Sequence, residues 1–296
     1  MMDYTLVQSD AALRSLIQRW NSEQVSSIAM DFEGEYNLHI YGEHLCLIQI
    51  NDGSHYYLID PFRVSKESIK ELLESQYIEK IMFDCTSDAA LVRKQYGITL
   101  THVFDLRIAA QLLGFNGNLT KLMEAYLGIP STTGKKGNQT ANWLIRPLKQ
   151  KLISYALSDV EHLFELKDAL IRALEKQNLT ERNRELQASA ALPKGPDRPG
   201  WEKLPGYRYL SPEQRVYLRW FFEARDMLAR KLNKPAFQVL DKRVLVSLAK
   251  NPPQSVEEFR VQAPHRSNDI ERDLVALLMV ARDGAVSELA ESTRKS

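Results

Sequence analysis

The hydrophobic period changes once along this chain, and that change limits the folds open to it. In the first hundred or so residues the apolar positions come as short runs rich in β-branched and aromatic residues: Ser27–Phe32 (SIAMDF), Leu45–Asn51 (LCLIQIN), Tyr56–Asp60 (YYLID), Lys80–Asp84 (KIMFD) and His102–Asp105 (HVFD). Each has the length and composition of a strand, so five strands are predicted. The first three are separated by stretches too short for a crossover helix and are expected to run antiparallel. Helical patterns at Lys66–Gln76 and Asp88–Tyr96 precede the last two, as parallel connections require. After His102–Asp105 the period becomes helical and stays so. The expected fold class is α/β: a mixed sheet, three antiparallel strands then parallel ones, flanked by helices, followed by a small all-α unit.

Local punctuation places the later helices. Asp105 before LRIAAQLLG, with Gly114 at its end, has the form of an N-cap and a C′ stop. Leu119–Leu127 ends in Gly128-Ile129-Pro130, which cannot propagate a helix. The stretch 147–187 reads as long and helical, with Leu152, Tyr155, Ala156, Asp159, Val160, Leu163 and Leu166 spaced by three and four. Four prolines and two glycines in 191–205 mark a linker, and SPEQ at 211–214 has the form of a capping box with Pro212 at the first helical position. The expected division is a site-bearing domain over 1–185, a linker over 186–205 and a helical domain over 206–296.

Composition excludes a disordered chain: 44% of residues are hydrophobic and 26% charged, the ordinary balance of a protein with a packed core. The net charge of +1 conceals an asymmetry. Residues 1–190 hold 20 Lys+Arg against 24 Asp+Glu, net −4, and residues 191–296 hold 19 against 14, net +5. An acidic module followed by a basic one is compatible with work on a phosphate polymer. Cys46 and Cys85 sit in or beside apolar runs and are expected to be buried free thiols. The start, MMDYTLVQSD, lacks a basic segment followed by an apolar one, and the cytoplasm is the expected compartment.

Three carboxylate features carry the candidate chemistry. Asp31-x-Glu33 closes an apolar strand, and alternation puts both side chains on one face. Two like charges there are costly without a cation. Tyr155-x-x-x-Asp159 places a phenol and a carboxylate on one helical face that is otherwise apolar. Asp88 opens a helix just after a strand, with Asp84 as its competitor; Asp105 and Asp60 are better explained as turn or cap residues. Taken singly, each feature has an ordinary explanation as a solvated strand end, a surface pair or a cap. Together they come from separate elements that can meet at one edge of the sheet. Four carboxylates suit the hard cations Mg²⁺ or Mn²⁺, and zinc is disfavoured without His or Cys clusters.

These residues, DFE at 31–33, Asp88 in FDCTSDAALVRKQYG and YALSD at 155–159, resemble the three exonuclease motifs of the DEDD superfamily in its tyrosine-bearing subclass. The surrounding text, LCLIQI at 45–50, VFDLRIAAQLLG at 103–114 and QTANWLIRPLKQKLISYALSDVEHL at 139–163, resembles ribonuclease D over roughly 1–180. WEKLPGYRYLSPEQ, WFFEARDMLARKLNKPAFQVL and LVSLAKNPPQSVEEF resemble the HRDC domain that follows the nuclease in that family. The chain departs from the usual pattern near Phe83 and Asp84, at Leu106 and at Asn142, positions outside the carboxylates.

The resemblance implies an RNase H-like domain that hydrolyses RNA from a free 3′ hydroxyl with two divalent cations, releases nucleoside 5′-monophosphates and trims structured, tRNA-like 3′ ends. It implies that Asp31 bridges the cations, Glu33 and Asp159 hold the one carrying the attacking water, Asp88 supports the other through water, and Tyr155 orients the nucleophile. Phe32, Lys135, Lys136, Arg146, Arg225 and Lys231 are the candidate nucleic-acid contacts, with Arg230, Lys234, Lys242 and Arg243 as further phosphate-binding cations. The same carboxylate set serves DNA hydrolysis, and a non-catalytic RNA-binding adaptor is the alternative from another class. The retained carboxylates argue against the adaptor.

Overall fold

The computed structural model describes residues 3–130, 140–193 and 195–295, and the chain divides into two compact units: 1–35 with 43–194, and 36–42 with 195–296. The first unit is built on a six-stranded mixed sheet in the order β1-β4-β3-β2-β5-β6, comprising β1 (Tyr4–Val7), β2 (Ser27–Tyr36), β3 (Glu43–Asn51), β4 (Tyr56–Ile59), β5 (Glu79–Met82) and β6 (Val103–Asp105). β3 and β4 run antiparallel, β2, β5 and β6 pair in parallel, and β1 pairs parallel to β4 from Tyr4 opposite Tyr56 to Val7 opposite Ile59. The sequence reading predicts five strands. The sixth, β1, is a four-residue edge strand whose alignment depends on a partner about fifty residues away.

Helices cover both faces. α1 (Asp10–Ser22), α2 (Lys66–Leu73) and α3 (Thr86–Tyr96) join Ile28, Met30 and Phe32 of β2 in one apolar cluster. α4 (Leu106–Leu112), α5 (Leu119–Leu127) and α7 (Leu163–Lys176) pack with Ala29 and Ile81 in another. α6 (Gln150–Val160) forms a third with Cys46, Leu47, Leu58 and Trp143. β2 therefore separates its two sides cleanly. By alternation Asp31 and Glu33 follow Ala29 onto the α4–α7 side, opposite Met30 and Phe32.

The long helical stretch expected over 147–187 is three helices, α6, α7 and α8 (Thr180–Gln187), with Asn178 in the left-handed region (φ 57°) between the last two. α8 has a separate task at the free edge of the sheet. The Gln187 amide accepts from the Asp105 backbone N–H (2.8 Å) and donates to its carbonyl (3.0 Å), standing in for a neighbouring strand. Asp105 caps α4 by accepting from the Arg107 amide (2.8 Å), as its position before LRIAAQLLG predicts. Both cysteines are buried free thiols, also as expected. Among the described residues no helix is long and apolar enough to cross a membrane.

The second unit is all-α: α9 (Pro212–Leu232), α10 (Ala236–Val239), α11 (Lys242–Lys250), α12 (Val256–Gln262) and α13 (Asn268–Lys295). Ser211 and Gln214 form the predicted reciprocal capping box with Pro212 in the first turn. Its core gathers Phe221, Leu228, Phe259, Leu274 and Leu278, with the Phe221 and Phe259 rings edge to face at 5.9 Å. Gly200–Lys203 is a short 3₁₀ turn whose Trp201 packs on that core, so part of the expected linker is structured. The segment 36–42 belongs to this unit because Tyr41 donates to Asp226 (3.1 Å) and Asn37 accepts from the Ala236 amide (3.3 Å).

A lysine inside the sheet gives the fold a pH signature. Lys80 on β5 is fully buried and donates to the carbonyls of Ser75 and Thr101, the latter at 3.1 Å. Burial pushes its pKa down from 10.5 to about 8. The charged form is thus penalised in the folded chain: the penalty is full below pH 8 and fades as pH rises toward 10.5, where the unfolded chain also loses the proton. Wild type is expected to gain roughly 2–3 kcal/mol relative to Lys80→Met between pH 7 and 10. Urea unfolding of both proteins at the two pH values measures it.

Candidate active site

Three elements of the first unit bring carboxylates together. Asp31 and Glu33 project from β2, Asp159 comes from the last turn of α6, and one potential ligand oxygen from each lies within 4.8 Å of the others. Asp88, in the first turn of α3, is 9% exposed, and the Asp31 charge acts on it directly. β2 runs on to Tyr36, beyond the predicted end at Phe32, so Glu33 is an interior strand residue and only 8% exposed. Glu35, a buried residue the sequence reading passed over, continues the same alternation. Its signal was available in the EGE spacing that follows Asp31.

The electrostatics follow from burial and like charge. Burial, then the charges of Asp31, Asp159 and Asp88, push Glu33 up to about 10. Burial and then Asp31, Asp84 and Asp105 raise Asp88 well above the carboxylate range. Burial, followed by Asp159 and Glu33, raises the Tyr155 phenol, so it stays protonated at neutral pH. This cluster cannot be fully ionised without added positive charge, and its donors are all oxygens. The neighbouring Cys46 thiol, which the charge of Glu33 reaches, is pushed up to about 12 by burial and offers no thiolate. The set fits hard divalent cations.

Two further contacts shape the site. Gln49 of β3 donates to Asp31 Oδ2 at 2.7 Å. The Tyr155 ring lies 6.2 Å from that of Trp143, tilted by 39°. Asp84, the competitor for Asp88, sits in the left-handed region (φ 59°) and pairs with Arg107 at 2.7 Å. Asp60 and Asp105 have the turn and cap duties expected of them: Asp60 accepts from the Phe62 amide, and Asp105 from those of Asp84 and Cys85.

Three of the predicted nucleic-acid contacts are corrected. Phe32 points into the apolar cluster with α1–α3 and is buried there. Arg146 has all five N–H groups committed: to Asp60 Oδ2 (2.9 Å) and Oδ1 (3.1 Å), and to the carbonyls of Trp143 (2.7 Å), Ile145 (3.1 Å) and Cys46 (2.6 Å). Arg225 is 5% exposed, donates to Asp226 and lies over the Phe222 ring at 4.5 Å. Lys231 is 71% exposed, with Asp273 at 3.8 Å, and remains available to a phosphate. Lys135 and Lys136 lie outside the described residues.

A family model described as a 3′-5′ exonuclease matches residues 4–175, more than half of the sequence, and the chain belongs to that family. An HRDC domain model matches residues 217–261. Ribonuclease D of Xanthomonas oryzae pv. oryzae is 31% identical over 229 residues, covering 75% of this chain and 62% of that protein. The chain thus aligns with somewhat under two thirds of that relative's length. Ribonuclease D of Pseudomonas paraeruginosa is 27% identical over 282 residues, covering 91% and 73%. The crystal structure of Escherichia coli RNase D, described as an exoribonuclease involved in structured RNA processing, shares the fold: TM-score 0.77, 23% identity, 96% of this chain and 75% of that one.

Two substitutions probe these assignments. A carboxyl whose folded pKa exceeds its unfolded value stabilises below the unfolded 4.5 and loses that contribution as pH rises toward about 10. Glu33→Gln is therefore expected to raise the metal-free Tm at pH 8 by at least ~2 °C and to leave it nearly unchanged at pH 4. Calorimetry in chelator reads the difference. Arg146→Ala leaves the Asp60 carboxylate, 2% exposed, without its cation. It is expected to cost about 3 kcal/mol in stability, whereas loss of RNA affinity at unchanged stability would restore Arg146 as a phosphate contact.

Proposed function

We propose that this chain is a metal-dependent 3′-to-5′ exoribonuclease that hydrolyses RNA bearing a free 3′ hydroxyl and releases nucleoside 5′-monophosphates. The observation that carries the reading is the convergence of Asp31, Glu33 and Asp159 within 4.8 Å, with Asp88 buried in their field. It occurs in a chain of the 3′-5′ exonuclease family. Asp31, Glu33, Asp88 and Asp159 are the residues that would hold two cations, Mg²⁺ or Mn²⁺. Such ions, when bound, supply Lewis acidity toward the phosphate and lower the pKa of water.

The side chains do the rest. The carboxylates repel a phosphodiester until they are compensated, so substrate and cation occupancy are coupled through the same charges. Burial and the neighbouring carboxylates raise the Tyr155 phenol, and it is placed to orient the attacking water through a hydrogen bond. Its contact with Trp143 and its place one turn before Asp159 on α6 fix the phenol beside the carboxylates. RNA as substrate is supported by the ribonuclease D relatives, structured RNA by the description of the Escherichia coli RNase D structure, and structured, tRNA-like 3′ ends are the form of substrate proposed. The HRDC-matching unit, with Lys231 exposed, is the proposed auxiliary RNA surface. Two buried free thiols fit a reducing compartment and a cytoplasmic location.

The test uses end-labelled RNA and DNA of one sequence, with free or blocked 3′ ends, in Mg²⁺, Mn²⁺ or chelator. Stepwise 5′-monophosphate release from free-ended RNA is expected, absent in chelator and nearly absent in Asp31→Ala. Tyr155→Phe is expected to keep cation binding and lose about 100-fold in rate. Full activity in Asp31→Ala would exclude this site, and faster hydrolysis of DNA would reassign the polymer.

A further inference from the structure

Gln49 is a polar residue in a place that packing alone would give to an apolar one. It lies in the run LCLIQIN on β3, the strand beside β2, and is 0% exposed. A buried amide is tolerated when both its ends are hydrogen-bonded. One end is: Nε2 donates to Asp31 Oδ2 at 2.7 Å. The other is not, because Oε1 is enclosed and has no donor among the described residues. The amide cannot relieve this by turning over, since that would set its oxygen against a carboxylate that only accepts. Met or Leu would fill similar space without an orphaned acceptor, so the reason for glutamine lies in Asp31.

What the amide supplies is orientation without charge. Asp31 must keep an oxygen with those of Glu33 and Asp159, although crowded negative charge works to drive these side chains apart. A lysine or arginine at this position would hold the carboxylate but compensate it, competing with an incoming cation. A neutral N–H fixes the rotamer and leaves the charge available, in the way groups behind metal ligands ordinarily act. We infer that Gln49 is a positioning residue of the carboxylate site, holding Asp31 in the geometry that receives a divalent cation. The inference rests on the functional reading above in that it takes the cluster to bind cations.

The full chain, as wild type, Gln49→Met and Gln49→Leu, is titrated with Mn²⁺ by calorimetry, melted without metal, and assayed on end-labelled RNA across a Mn²⁺ series. The expected result is a metal-free Tm equal to or above wild type, Mn²⁺ affinity about tenfold weaker, and a rate that recovers most of its value at saturating Mn²⁺. Unchanged Mn²⁺ affinity in a folded variant overturns the inference, whether or not Tm falls. Failure of both variants to fold without metal also overturns it, because Gln49 would then be a packing residue. If wild type itself takes up no Mn²⁺ and leaves RNA intact, the functional reading falls and takes this inference with it. Wild type that binds and cleaves, beside variants indistinguishable from it, sinks the Gln49 assignment alone.

Discussion

Crowding of negative charge is the constraint around which the first unit is arranged. Glu33 and Asp88 are each less than a tenth exposed, Asp31 and Asp159 act on Glu33, and Asp31 acts on Asp88. Such a group does not assemble by its own attraction, so the rest of the fold has to hold it in place. β2 does so by separating its two sides: Ile28, Met30 and Phe32 are locked into an apolar cluster, which forces Asp31 and Glu33 to the other face. The strand is not at liberty to slip, because a one-residue shift would turn the carboxylates in among α1–α3 and the apolar set onto the side where the carboxylates now meet. The register against β5, Ile28 opposite Lys80 and Ala29 opposite Ile81, is thereby tied to the site.

Asp159 and Tyr155 need an anchor of a different kind, since the described residues just before α6, 140–149, form only turns and bends. Arg146 supplies it. Its guanidinium binds the carbonyls of Trp143 and Ile145 from its own segment, the carbonyl of Cys46 on β3, and Asp60 just beyond β4. The hydrogen bonds and charge of Arg146, with the Phe62 amide, outweigh the burial that opposes ionisation of Asp60, and its pKa stays low. The start of α6 is thus fastened to two neighbouring strands, and Trp143 packs beneath Tyr155 in the same cluster. The stretch WLIRPL at 143–148 thereby positions the start of the helix. Its arginine ties the segment leading into α6 to β3 and to Asp60.

Much of this was legible in the residues, for reasons that differ by element. Strands flanked by turns, caps such as Asp105 and Ser211, and stops such as Gly128 are set by chemistry within a few residues, and the sequence reading places them well. Spacing also shows that residues 31 and 33, or 155 and 159, share a face. What local patterns lack is burial. Arg146 and Arg225 carry the side chain that a phosphate prefers, yet one is consumed by Asp60 and three carbonyls and the other by Asp226 and Phe222. Phe32, flanked by carboxylates in the sequence, faces away from them. β1 went unseen because its four residues gain strand character only from β4.

The same crowding makes the site expensive to maintain empty. Carboxylates whose pKa values are driven upward withdraw stability from the folded chain at neutral pH, and binding of compensating charge returns it. Residues selected for a site of this kind therefore sit off the stability optimum. Glu33 would be better tolerated as glutamine, and Gln49, with its orphaned Oε1, as an apolar residue of similar volume. That two such compromises adjoin Asp31 is hard to account for by packing, because the positions flanking Gln49 on β3, Leu47, Ile48 and Ile50, are fully buried aliphatic side chains. It is accounted for if the geometry of Asp31 is what the strands are built to protect. The apolar clusters on both sides of β2 then supply the rigidity against which that local cost is borne.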